Sequence, residues 1–138
     1  MPEIDYFLLA DYVRQDAGMT HIMGAGLDTI TVPADRMPIT QPAGVAVRIT
    51  FSSLDEVGSE HDLRLAFTGP GGDLLTMRSR FLTPPPPPGV PDHWRTAVSV
   101  AFRVALPIPR HGDFRLQVTL DDDPRLSRSL DVRAVAPA

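Results

Sequence analysis

Apolar and polar residues alternate along most of the chain after residue 45. In residues 45–51 the valines, the isoleucine and the phenylalanine share one side of an extended chain, and Arg48 lies on the other. The same period of two recurs at residues 63–67, 98–104 and 114–120, each time with an arginine on the polar side. Because successive side chains of a strand point to opposite faces, this pattern indicates antiparallel strands with one buried and one solvated face.

Prolines and glycines divide the chain into eight predicted strands, so long helices are not expected. The approximate bounds of these strands are residues 4–13, 20–31, 45–52, 62–68, 74–82, 96–106, 113–120 and 126–135. Tight turns are predicted at residues 16–18, 69–72 and 121–124, where Asp, Gly and Pro concentrate. Residues 32–44 contain three prolines and are predicted to form an irregular connection.

Short strands with turn chemistry between them predict an all-β fold, a two-layer antiparallel β-sandwich of immunoglobulin-like type. One short helical turn is expected at residues 53–58, where Ser53 has the character of a cap and Gly58 that of a terminator. A chain of 138 residues fits one such domain over residues 1–138. Alternation alone does not distinguish a sandwich from a closed barrel, so a barrel is the alternative architecture.

The composition limits the functions open to the protein. All thirteen basic residues are arginine, cysteine is absent, and the formal net charge is −4. Without cysteine there are no disulfides and no thiolate catalysis, and the negative charge argues against binding to nucleic acid or an anionic membrane. The first residues are acidic where a secretory signal is basic, and no run approaches the roughly 20 apolar residues of a membrane helix. We therefore expect a cytoplasmic protein, and arginine without lysine suggests a GC-rich bacterial genome.

No sequence motif predicts a catalytic, metal or cofactor site. Asp121 to Asp123 form the densest acidic cluster, but adjacent carboxylates at a strand end point in different directions and lack the spacing of a calcium loop. The four histidines are scattered without the spacing of a zinc site, and no serine lies in a nucleophile elbow. We expect a non-enzymatic module without metal or cofactor, and a hydrolase is a distant alternative.

The N-terminal hairpin departs from the alternation. Residues 6–10, YFLLA, and residues 22–27, IMGAGL, are apolar on both faces of the strand. A two-layer sandwich buries one face only, so the second face is covered either by one of the proline-containing connections or by another molecule. We predict that this hairpin contacts an unknown protein partner or a second copy of the chain. The candidate contact residues are Tyr6, Phe7, Leu8, Leu9, Met23 and Leu27.

Three other features suggest binding sites. Arg78 and Arg80, two apart on one strand face, are candidates for contact with an anion, although cross-strand acids would explain outward arginines equally well. The pentaproline at residues 84–88 favours a stiff polyproline helix, which either bridges two strands across the end of the sandwich or docks in an aromatic groove. Loops at one end of the sandwich are candidates for binding a small molecule or carbohydrate through Asp92, His93, Trp94 and His111.

Four segments carry a resemblance to a known family. The segments PEIDYFLLADYV, THIMGAGLDTI, SSLDEVG and PRHGDFRLQVTLDDD are similar to those of a family of small bacterial proteins of unknown function with a β-sandwich fold. The resemblance spans nearly the whole chain and implies a fold, but it implies no activity, substrate or catalytic residue. Residues 112–116, GDFRL, also resemble the penultimate strand of immunoglobulin-like modules, with Phe114 in place of a tyrosine. Without the tyrosine hydroxyl, the tyrosine corner of those modules cannot form.

Overall fold

The regular structure of the chain is almost entirely β-strand. The computed structural model describes residues 2–16, 19–52, 55–91 and 95–138. The strands are β1 (Glu3–Asp16), β2 (Met19–Ala25), β3 (Thr29–Thr31), β4 (Ile39–Phe51), β5 (Glu60–Gly69), β6 (Gly72–Leu82), β7 (Thr96–Ile108), β8 (Gly112–Leu120) and β9 (Ser127–Val135). Two short 3-10 turns lie at Ala34–Arg36 and Pro124–Leu126. No helix in these described ranges is long and apolar enough to cross a membrane.

The strands form two sheets that pack face to face. One sheet has four strands in the order β2-β1-β4-β7, and the other has five in the order β3-β9-β8-β5-β6. Neighbouring strands are antiparallel except for β3 and β9, which pair in parallel. The predicted all-β, two-layer sandwich is confirmed.

The alternation after residue 45 fills the space between the two sheets. The inward residues of the central strands β4, β5 and β8 are at most 2% exposed; they are Val45, Val47, Ile49, Phe51, Leu63, Leu65, Phe67, Phe114, Leu116, Val118 and Leu120. The rings of Phe67 and Phe114 stack with centroids 5.4 Å apart. Phe114 therefore belongs to the core between the sheets.

The predicted strand over residues 20–31 is wrong as a single element. β2 ends at Ala25 and β3 begins at Thr29, because Gly24 and Gly26 take φ values of 68° and 86° that turn the chain out of the first sheet. β3 then joins the second sheet beside β9. This division is the reason for nine strands where eight were predicted.

The irregular connection predicted over residues 32–44 is shorter than expected. β4 already begins at Ile39, and Pro42 lies within it opposite Ala105 of β7. β1 pairs with β4 only as far as Gly44, so β4 is an edge strand at Pro42, where a proline is tolerated. The helical turn predicted at residues 53–58 begins with two residues that lie outside the described part of the chain, and residues 55–58 contain no helix.

The β1–β2 hairpin folds over the outer face of its own sheet. β1 pairs with β4 as far as Ala10 and then leaves it while remaining paired with β2. A Cβ atom on Gly44 would lie 2.6 Å from the backbone nitrogen of Val13. The side-chain nitrogen of Gln15 donates a hydrogen bond to the carbonyl oxygen of Ser99 on β7, at 2.7 Å. The second half of β1 therefore crosses above β4 and reaches β7.

This arrangement buries the second apolar face of the hairpin. Ala10, Val13 and Ala46 are at most 1% exposed and form a cluster separate from the core between the sheets. The half-buried side chains around this cluster are Tyr6, Leu8, Ile22 and Ala101. The cover for this face is thus supplied by the hairpin itself, and not by residues 32–44 as one alternative proposed.

We predict that Gly44→Ala lowers the free energy of unfolding by about 1–3 kcal/mol, because the added methyl group must displace the backbone at Val13. Denaturant-induced unfolding measures the effect. The matched control is Gly71→Ala, where the nearest heavy atom is a flexible side-chain nitrogen 4.0 Å from the added Cβ. Equal unfolding free energies for the two variants would contradict the close approach of β1 to β4.

Candidate interaction surface

Two of the predicted contact residues belong to the core. Phe7 is 7% exposed and Leu9 is 1% exposed, and both pack between the two sheets. They lie opposite Val47 and Val45 of β4, whose side chains also face inward. The prediction that Phe7 or Leu9 contacts a partner is therefore wrong.

The other predicted contact residues differ in their exposure. Tyr6 and Leu8 are half-buried around the outer cluster, and Leu27 is half-buried against the main core. Met23 is 65% exposed. Met23 is thus the member of the predicted set that presents most of its side chain to solvent.

The outward side of the hairpin is formed by alternate residues of β1 and β2, all of them exposed. We call it the hairpin face, and its members pair across the strands as Tyr12 with Met23, Arg14 with His21, and Asp16 with Met19. Among the described residues, five large hydrophobic side chains are exposed, and three of them belong to this face. The other two are Val57 and Leu82. The exposed apolar surface is therefore concentrated on the hairpin.

Arg103 of β7 holds Tyr12 in place. Its guanidinium carbon lies 4.7 Å from the centroid of the Tyr12 ring, and the guanidinium donates a hydrogen bond to the tyrosine hydroxyl. A cation above an aromatic ring is attracted to its π-electrons, so the two contacts together fix the ring orientation. A cleft of about 330 Å³ opens beside this pair where β1 leaves β4, and Asp11 and Pro42 contribute to its lining.

The arginines proposed as anion contacts already have carboxylate partners. Arg78 donates a hydrogen bond to Asp62, and its Nη1 atom lies 3.5 Å from Asp122. The hydrogen bond to Asp62, together with the charge of Asp122, raises the pKa of Arg78 above its usual value. Arg80 lies 3.6 Å from Glu60. A bound anion would have to compete with these carboxylates, so the structure gives no support to this site.

The three consecutive aspartates each have a different partner. Asp121 accepts a hydrogen bond from the backbone N–H of Asp62, and Asp122 lies between Arg64 and Arg78, which oppose each other across β5 and β6. Asp123 caps the following 3-10 turn and pairs with Arg125 at 2.8 Å, and the hydrogen bond from that side chain lowers the pKa of Asp123. In the described part of the chain, no group of three His, Asp or Glu residues is placed to hold a metal ion.

His61 connects segments that are distant in sequence. Its Nδ1 atom lies 2.8 Å from a carboxylate oxygen of Asp121, and its Nε2 atom lies 2.8 Å from the hydroxyl oxygen of Thr83. The imidazole also packs against two phenylalanine rings, with centroids 5.2 Å away at Phe51 and 5.5 Å away at Phe81, and these two rings are 6.1 Å from each other. A hydroxyl, an imidazole and a carboxylate thus stand in the order that nucleophilic hydrolases use.

Burial argues against catalysis by this row of residues. A nucleophile must reach its substrate, but Thr83 is 2% exposed. The backbone of Thr83 is also bonded to Gly58 and Ser59 on the neighbouring segment. We therefore interpret the contacts of His61 as a clamp that fixes the end of β6. Sequence analysis missed this clamp because its members are 22 and 60 positions apart.

The remaining predicted sites are the candidate ligand loop and the pentaproline. Asp92, His93 and Trp94 of the candidate ligand loop lie outside the described residues. His111 is half-buried, and its Nε2 atom lies 2.7 Å from the carbonyl oxygen of Val32, so its ring is used by the fold. Residues 85–88 of the pentaproline are exposed, on the connection that leads from β6 in one sheet to β7 in the other.

Comparison with known proteins relates the chain to one family. A family of unknown function (DUF6941) matches residues 5–133, which run from β1 to β9. No curated protein matches the chain. Among solved structures, the CARDB domain of a Pyrococcus furiosus protein, crystallised in complex with di-metal ions, is similar at 14% sequence identity with a TM-score of 0.45. The similarity covers 98% of this chain and 97% of that one.

We predict that His61→Ala lowers the free energy of unfolding by about 1–3 kcal/mol, because it leaves the buried hydroxyl of Thr83 without its partner. Thermal or denaturant unfolding measures the loss. His21→Ala is the matched control, since that histidine is exposed on the hairpin face. If both variants unfold like the wild type, His61 does not clamp the end of β6.

Proposed function

The chain belongs to DUF6941, a family of unknown function, and from that premise we propose that it is a non-enzymatic protein-binding module whose contact surface is the hairpin face. The observation that carries this proposal is the exposure of Tyr12 at 38% and of Met19 and Met23 at 65% each. Tyrosine and methionine are enriched in protein interfaces, because they offer large apolar areas that adapt to a partner. Their concentration on one hairpin favours a binding surface over scattered exposure.

The support beneath the hairpin face favours binding as well. Val13 and Ile22 pack on the sheet below, and Arg103 orients the ring of Tyr12. A surface that is already ordered loses little conformational entropy when a partner binds. The hairpin therefore presents its apolar side chains on an ordered backbone, with the ring of Tyr12 oriented by Arg103.

Charged residues among these apolar side chains provide a source of specificity. Arg14 and Asp16 follow Tyr12 at alternate positions of β1, so opposite charges stand next to each other on the hairpin face. Charges at the border of an apolar contact contribute more to the choice and orientation of a partner than to affinity. We expect the partner to present complementary charges at these two positions.

A small-molecule or carbohydrate site in the end loops is the weaker candidate. Its one described residue, His111, is bonded to the backbone of Val32. Nucleophilic catalysis is weaker still, because Thr83 is buried. The exposed apolar side chains of the hairpin face thus support binding of a protein better than either alternative.

We predict that the double variant Met19→Asp/Met23→Asp reduces binding to the partner at least about tenfold, which corresponds to roughly 1.4 kcal/mol. The substitutions remove the apolar contact of the two methionines, and the new carboxylates would have to lose their hydration when the partner binds. Quantitative affinity capture from an extract of the native host, with mass spectrometry, compares the variant with the wild type. Leu82→Asp is the control, because Leu82 is 58% exposed on a different strand. Equal capture by the wild type and the double variant would overturn the proposal.

A further inference from the structure

β2 is an unprotected edge of its sheet. It is the terminal strand of the four-stranded sheet, so within the described residues it has a strand neighbour on one side only. Edge strands usually carry charged side chains or prolines, or are very short, and these features prevent pairing with another chain. β2 reads MTHIMGA, with no arginine, no carboxylate and no proline. Its free edge is therefore open to a further strand.

The other sheet edges do have such protection. β3 has three residues only. β6 carries Arg78 and Arg80, and β7 carries Arg103 and Pro107. Of the terminal strands of the two described sheets, β2 alone is both longer than three residues and free of charge and proline.

The order of residues in β2 is self-complementary. Residues 19–23 read Met-Thr-His-Ile-Met, so the exposed positions give Met-His-Met in either direction. A twofold axis makes each contact twice: residue i of one copy meets residue j of the other, and residue j of the first copy meets residue i of the second. If two β2 strands pair in antiparallel fashion around His21, Met19 of each copy lies opposite Met23 of the other. The two strands then make two methionine contacts, one on each side of the axis.

Charge also favours self-pairing at β2. A twofold axis sets a strand against its own copy, and like charges directly opposite each other destabilise a strand pair. Pairing of β6 with itself would bring Arg78 and Arg80 close to their own copies. At β2 no arginine or carboxylate meets its own copy, and the charged residues Arg14 and Asp16 lie one strand farther from the axis.

We propose that a second copy of this chain binds at the free edge of β2 by antiparallel pairing of the two β2 strands around His21, which brings Met19 and Met23 of the two hairpin faces into contact. The two β1–β2 hairpins then form one four-stranded antiparallel sheet across the axis. The inference rests on the proposed function, because it assigns a contact to Met19 and Met23 of the hairpin face. The paired segment is short, and interfaces that bury less than roughly 1,200 Å² are typically weak, so a dimer with micromolar affinity is expected.

Sedimentation velocity over a range of protein concentrations tests the dimer. The wild type is expected to sediment increasingly as a dimer as its concentration rises. Met19→Lys/Met23→Lys should weaken the dimer at least tenfold, because each new ammonium group meets another. Met19→Lys/Met23→Glu changes the same two positions but sets an ammonium group opposite a carboxylate in both contacts, so it should dimerise more strongly than the first variant. A wild type that stays monomeric, or equal weakening by both variants, would overturn the inference.

Cysteine crosslinking tests the register. The chain contains no cysteine, so His21→Cys introduces a single thiol at the proposed axis. Directly opposed strand residues have Cα atoms about 4.5–5.5 Å apart, which suits a disulfide. Mild oxidation should link His21→Cys into a covalent dimer, whereas Thr76→Cys, exposed on edge strand β6, should remain mostly unlinked. Equal linking of the two variants would contradict pairing at β2.

The two proposals fail in different ways. If the protein is monomeric but affinity capture still depends on Met19 and Met23, the hairpin face binds a different protein and only the dimer is refuted. If dimers form and survive both double variants, self-association uses another surface, and the dimer through β2 is refuted. If neither self-association nor capture depends on these residues, the proposed function is refuted as well.

Discussion

The contact between Val13 and Gly44 determines how the N-terminal strand is buried. β1 is apolar on both sides, and a two-layer sandwich covers one of them. Because Gly44 has no side chain and Ala46 is small, the second half of β1 lies directly on the outside of β4. The hairpin thereby adds a partial third layer to the fold. Which side chains of the hairpin face solvent follows from this contact, since residues that alternate with Val13 point away from the sheet.

The period of two after residue 45 is sufficient to predict the core, because an inward residue of β4, β5 or β8 is buried whichever strand lies beside it. The same reasoning fails for the hairpin, because it assumes that a strand remains in one sheet. β1 leaves its sheet after Ala10, and the chain leaves β2 at Gly24 and Gly26. Tyr12 lies on the exposed face because it pairs with Met23, and Met19 lies there because it pairs with Asp16. The sequence does not specify this register.

The sequence does not determine the role of the outward arginines, for a related reason. An arginine on the polar side of a strand is equally compatible with an anion site and with an ion pair, and the difference depends on which residue lies across the sheet. The register sets Arg133 opposite Asp113, and Arg115 opposite Asp131, with N···O distances of 3.2 and 3.4 Å. Much of the charge on the second sheet is therefore balanced within the sheet. This balance makes the hairpin, with its exposed methionines, the more distinctive part of the surface.

The double burial of β1 has a consequence for folding during synthesis. The hairpin is synthesised before β4 and β7, on which it lies, and before the second sheet, which covers the inner face of β1; these elements end only at residues 51, 108 and 135. Until β7 has been made, a nascent chain exposes an apolar ribbon with an open edge, and such ribbons are prone to aggregate. The sequence separation between β1 and its other partner, β4, also slows native pairing, since loop closure precedes the contacts that stabilise it. Protection of the hairpin from aggregation during synthesis thus depends on strands that are made after it.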